Sequence, residues 1–71
     1  MTDEEYGDAA VALRRAMREI GGVTATAELV GVSQQAVSSW TICPVQRVLE
    51  ISKASGVPKS DLRPDLFREG T

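Results

Sequence analysis

Between residues 9 and 20 the apolar side chains Ala9, Leu13, Ala16, Met17 and Ile20 recur at three- and four-residue steps. That period gathers them on one side of a helix. The spacing predicts a helix from Asp8, as its N-cap, to Ile20, preceded by an acidic, flexible N-terminus over residues 1–7. Gly21-Gly22 ends it, with Gly21 suited to the left-handed position that closes a helix. Thr24 is the expected cap of a second helix that runs to a turn at Gly31. Ser33 caps a third, from Gln34 to Trp40. Pro44 fits the first position of a fourth helix, which runs to Ser55 with Val48, Ile51 and Ala54 inward and stops at Gly56. A short helical turn over 60–62 and a last turn at Asp65-Leu66-Phe67, separated by Arg63-Pro64, complete the chain. No stretch alternates as a strand would. The fold class is all-α: a compact bundle of four to five short helices in one domain, residues 8–71.

Within this bundle, VTATAELVGVSQQAVSSW (residues 23–40) has the spacing of a helix-turn-helix. Ala27 is small where the two helices cross. Gly31 supplies the positive φ of the turn. Val37 anchors the second helix to the core. Such a pair usually lays its second helix in the DNA major groove, with its N-terminal residues reaching base edges. Gln34 and Gln35 occupy its first turn, and Ser38 and Ser39 its second. These four are the candidate base-reading residues. A glutamine amide offers a donor beside an acceptor and matches N6 and N7 of adenine, a pairing worth about 1–3 kcal/mol of discrimination. A Ser-Gln-Gln tip also serves as an ordinary capped, solvated helix start. Thr24, at the start of the second helix, is a phosphate candidate through its hydroxyl and the neighbouring amides. Arg47 is another, unless it bridges Glu50.

The remaining residues narrow the choice. Trp40 reads as a core anchor against the fourth helix. Arg14, Arg15 and Arg18 suit either phosphate contact or a solvated face in which Arg15 pairs with Glu19. Cys43 reads as a small, half-buried filler.

At 71 residues the chain is one small domain, and a chain of that size buries only about 60% of its unfolded surface. It has no histidine and one cysteine, so the parts of an internal disulfide, a His/Cys metal site or a nucleophile–base pair are missing. No enzyme activity, metal or cofactor is expected. No apolar run approaches the ~18 residues of a membrane helix, and the acidic start is unlike a signal peptide, so a cytoplasmic protein is expected. Eight basic and ten acidic residues give a net charge of −2. Asp3, Glu4, Glu5 and Asp8 supply four of those acids, which leaves residues 9–71 with eight basic and six acidic groups, or +2. That balance suits salt-sensitive DNA binding that tightens in a dimer.

Three segments, GGVTATAELVGVSQQAVSSW, PVQRVLEISKASGV and SDLRPDLF, together resemble the Cro-like helix-turn-helix proteins of the YdaS type, within the lambda-repressor-like fold. The resemblance covers residues 9–67. It implies sequence-specific binding of an operator, usually by a dimer, and transcriptional control; members are often described as antitoxins. By that resemblance Gln34, Gln35 and Ser39 fall at base-reading positions. Ser33, Thr24 and Ser38 fall where backbone or base is met, and Ser33 and Thr41 join the phosphate-contacting set. The chain departs from the family pattern at Val23, where Gln is common, and at Glu28, where a basic residue is frequent. Its Thr41-Ile42-Cys43 loop is also shorter and lacks a basic residue.

The expected partner is double-stranded DNA carrying a near-palindromic operator, with half-sites about 34 Å apart. A homodimer is expected through the C-terminal third, at Leu62, Leu66 and Phe67. The rival expectation is a protein-interaction module, a co-regulator or antitoxin-like protein with weak or no DNA binding, that docks on a second regulatory protein.

Overall fold

The computed structural model describes residues 1–67; the end of the expected domain, 68–71, lies outside them. Its helices are α1 (Asp3–Ile20), α2 (Val23–Val30), α3 (Gln34–Ser38), α4 (Val48–Ser55) and α5 (Lys59–Leu62), with a 3-10 turn at Val45–Arg47 before α4. Among the described residues there is no strand. The all-helical expectation holds.

The N-terminal cap of α1 lies six residues before the expected cap at Asp8. Thr2 is its N-cap. The Thr2 hydroxyl accepts the Glu5 N–H at 3.1 Å, and the Glu5 carboxylate accepts the Thr2 N–H at 3.1 Å. This reciprocal capping box satisfies two amides that would otherwise face solvent alone. Asp3, Glu4 and Glu5 also meet the positive end of the helix dipole. The acidic residues expected to fray are thus the helix start. Ala9, Ala12, Leu13 and Ala16 are its buried stripe.

Two glycines connect α1 to α2. Gly21 and Gly22 both donate to the Met17 carbonyl, at 3.0 and 2.8 Å, with φ of 125° and 105°. Gly22, rather than Thr24, is the N-cap of α2. Its positive φ turns the chain into the helix before Thr24 is reached. Thr26 is fully buried, and its hydroxyl donates to the Gly22 carbonyl at 2.8 Å.

The α2–α3 turn follows the sequence expectation closely. Gly31 is left-handed, with φ 75° and ψ 33°. Its N–H and that of Val32 both reach the Ala27 carbonyl, at 2.9 and 3.1 Å. A Cβ at Gly31 would meet no atom within 4 Å, so the demand for glycine is conformational, worth about 1–2 kcal/mol. Ala27 and Val37 are buried. α3 ends at Ser38 instead of Trp40. The Ser39 hydroxyl donates back to the Ala36 carbonyl at 2.7 Å, and the Trp40 N–H reaches the Val37 carbonyl at 3.1 Å. These tight local bonds close the helix early. Trp40 is half-buried and packs on the core.

Pro44 lies ahead of the fourth helix, at ψ 141°, and its carbonyl accepts the Arg47 N–H at 2.9 Å. The 3-10 turn comes first and α4 only starts at Val48. Val48 and Ile51 are fully buried, whereas Ala54 is exposed. Ser55 takes the inward-leaning place: its hydroxyl donates to the Ile51 carbonyl at 2.6 Å and accepts the Val57 N–H at 3.1 Å.

α1 is the central helix, packed against α2, α4 and α5. Leu13, Ala16, Val30, Cys43, Val48, Ile51, Val57 and Leu62 belong to one core cluster. Leu62 is fully buried there and so contributes nothing to an external dimer surface. Leu66 is exposed, and Phe67 is half-buried against the core.

The C-terminal segment is tied down by Arg63. Its guanidinium grips the Asp65 carboxylate with two bonds, at 3.0 and 2.8 Å, and donates to the Cys43 carbonyl at 3.1 Å. The bond from Arg63 holds the Asp65 carboxyl below its ordinary value of 3.8. That contribution to stability is present above the ordinary carboxyl range and is lost as pH falls through the depressed folded value.

Cys43 is fully buried, and burial pushes its thiol up to about 11 despite the opposing charge of Arg63. Since the thiolate is the reactive form, the native protein should react slowly with an aromatic disulfide reagent near neutral pH. Denaturant should release one rapidly reacting thiol. Fast labelling of the native protein would contradict this packing.

Candidate nucleic-acid interface

α3 is two-sided. Val37 points into the core, and Gln34, Gln35 and Ser38 face solvent with Ser33 and Ser39 at either end. The Ser33 hydroxyl oxygen accepts the Ala36 N–H at 3.1 Å, which leaves its proton free to donate outward. The Ser39 proton is committed to the Ala36 carbonyl, so Ser39 meets a ligand as an acceptor. α3 carries no charge. Whatever it recognises, it addresses with amides and hydroxyls.

Thr24 is exposed in the first turn of α2. No side chain caps that helix, so the amides of residues 23–25 have no intrahelical acceptor. They and the Thr24 hydroxyl form a small cluster of donors. Thr41 is exposed just beyond Trp40.

A hollow of about 470 Å³ separates α1 from the start of α2 and the end of α3, and Arg14, Val23, Ser38, Trp40 and Thr41 all line it. It therefore brings Arg14 to the side of α1 that carries Ser38 and Thr41. The helical spacing left Arg14 open between two roles; only the packing of α1 against the helix pair assigns it a neighbourhood.

Arg47 stands apart on the 3-10 turn. It pairs with Glu50 at 3.4 Å, half-exposed, the bridge that its spacing allowed. Arg15 does not pair with Glu19. It bridges Asp61 at 3.3 Å, because α5 packs alongside α1 and brings a carboxylate across. Both groups are about half exposed, so water screens the pair and it stabilises by at most about 1 kcal/mol. Arg63 went unnoticed in the sequence as a tether. The short RPD run around it was the available signal.

A family model described as "Bacterial toxin YdaS" matches residues 13–70. The chain belongs to the YdaS family. The match takes in α2, α3, α4 and α5, and starts part-way along α1, at Leu13. The family's description says toxin, where the sequence resemblance implied antitoxin. No curated protein and no solved structure matches the chain. Among the described residues, no helix is long and apolar enough to cross a membrane, and no three His, Cys, Asp or Glu side chains gather as a metal site would require.

Proposed function

We propose that this YdaS-family chain is a sequence-specific DNA-binding transcriptional regulator of the phage and prophage Cro-like type, acting in the cytoplasm on the nucleoid. α2 and α3 form its helix-turn-helix, and α3 enters the major groove. The observation that carries the reading is the sidedness of α3. Val37 is its buried residue, while Gln34, Gln35, Ser38 and Ser39 are all exposed. These four read base edges. Thr24, Ser33 and Thr41 meet phosphate, joined by Arg14 and by Arg47 once it leaves Glu50. Two copies then occupy half-sites about one helical turn apart.

Val23 and Glu28 favour a second reading, a module that docks on another regulatory protein and touches DNA only beside it. Glu28 is exposed on α2, where its charge opposes phosphate. Salt separates the two. Arg14 and Arg47 supply about four charged contacts per dimer, so affinity should fall roughly hundredfold between about 50 and 200 mM salt. The test is retention of random and genomic DNA fragments on the purified chain at both salts, with sequencing of what is kept. Enrichment of a near-palindromic site with that salt response is the expected result. No retention above background at low salt would discard the DNA reading in favour of the partner module.

A further inference from the structure

Two hollows flank α5 and meet at Ser60, which lines both. The first, about 380 Å³, lies between α1 and α5 and exposes Asp8, Val11 and the Arg15–Asp61 pair. Arg15 and Asp61 neutralise each other, so Asp8 gives this hollow its sign, beside Glu5, which also lines it and whose carboxylate accepts the Thr2 N–H. The second, about 620 Å³, lies between α4 and the C-terminal segment and is lined by Leu49, Lys53, Pro58, Lys59 and Phe67. It carries two lysines and no carboxylate. Each side also exposes an aliphatic side chain that its own core does not use: Val11 is 57% exposed and Leu49 is 62% exposed. The Lys59 ammonium sits 5.3 Å from the centre of the Phe67 ring, which holds that charge at the rim of the hollow.

A two-fold interface must be complementary to itself: what one copy offers at a point, the other offers at its symmetry mate. A patch of a single sign repels its own copy. A negative patch bordered by a positive one, each with an apolar centre, fits its copy when the axis runs along the border. We propose that this face, with its axis passing beside Ser60, is a homodimer interface. The acidic side of α1 in each copy enters the lysine-rimmed hollow of the other. Asp8 then faces Lys53 and Lys59 twice over, and Val11 covers Leu49.

The surface shares Phe67 with the one expected at Leu62, Leu66 and Phe67 but not Leu62, which is inside the core. The acidic half of α1 also lies ahead of the segment that the family model matches. α3 stands on the other flank of α1, beside Arg14, and stays open in such a dimer. The inference does not depend on DNA binding, because its readout is mass in the absence of DNA.

Sedimentation velocity and light scattering on the full chain, over a range of concentrations and salts, give the test. The expected result is a dimer that loosens with salt. Asp8→Lys and Lys53→Glu, both at exposed positions, should each weaken it at least roughly tenfold, because each places like charges opposite each other twice. Circular dichroism and thermal melting should be those of the parent protein. Combining the two substitutions in one chain should restore the dimer, as should mixing the two single variants. A monomer at every concentration, a dimer unmoved by either reversal, growth beyond two copies, or failure of the double variant to recover would each overturn the proposal.

Discussion

Replacing Gln34 and Gln35 together by alanine is expected to abolish the preference for the operator over random DNA while leaving weak, salt-dependent binding in place. Each amide in a bidentate contact with a base contributes about 1–3 kcal/mol, or roughly 5- to 150-fold. Two such contacts make the loss at least roughly thirtyfold. Stability should not fall. Both side chains are exposed, the Ser33 cap remains, and alanine is the better helix former. Affinity measured on the selected site and on random DNA at one salt gives the ratio directly. Arg47→Ala is the contrasting variant: it should weaken both DNAs alike and flatten the salt dependence by about one contact per protomer. Equal losses on both DNAs for both variants would remove the proposed division between base reading and phosphate contact.

The helix pair that carries this expectation was legible because its requirements are local. Gly31 must be left-handed, Ala27 must be small and Val37 must face inward; each of these is set by residue type at a fixed spacing, and all three hold. The errors arose where a distant or competing partner decided the outcome. Thr24 has the chemistry of an N-cap, but Gly22 has the backbone freedom to start the helix sooner. Asp8 likewise has cap chemistry, but the Thr2–Glu5 capping box starts α1 first. That box is itself a local sequence pattern, hidden behind the general expectation that chain ends fray. Arg15 lost Glu19 to Asp61, which lies 46 residues away, and no helical spacing could indicate that. The candidate site was legible in the same measure. The polar face of α3 follows from its period, whereas the approach of Arg14 depends on how α1 meets α2 and α3. The opposing signs on either side of α5 depend likewise on how α1, α4 and the C-terminal segment come together.

Leu62→Ala should be among the most damaging single substitutions in the chain, although its setting in SDLRPDLF reads as surface. Leu62 is fully buried within the cluster that holds Leu13, Val48 and Ile51. Removing its branched end leaves a cavity as well as losing the transfer energy, together about 2–5 kcal/mol. A chain of 71 residues has a total stability of only roughly 4–11 kcal/mol. In a domain of this size the loss lowers the melting temperature by at least roughly 10 °C. Leu66, three residues beyond Arg63 and 47% exposed, provides the control: Leu66→Ala should change stability by no more than about 0.5 kcal/mol. Thermal melts of the two variants side by side decide between the two placements. A core Leu62 gives a large drop for the first and almost none for the second. Comparable small effects would instead put Leu62 on the surface and detach α5 from the core. The proposed dimer face would go with it, because α5 must be seated against α1 for Asp8 and Lys59 to lie on either side of Ser60.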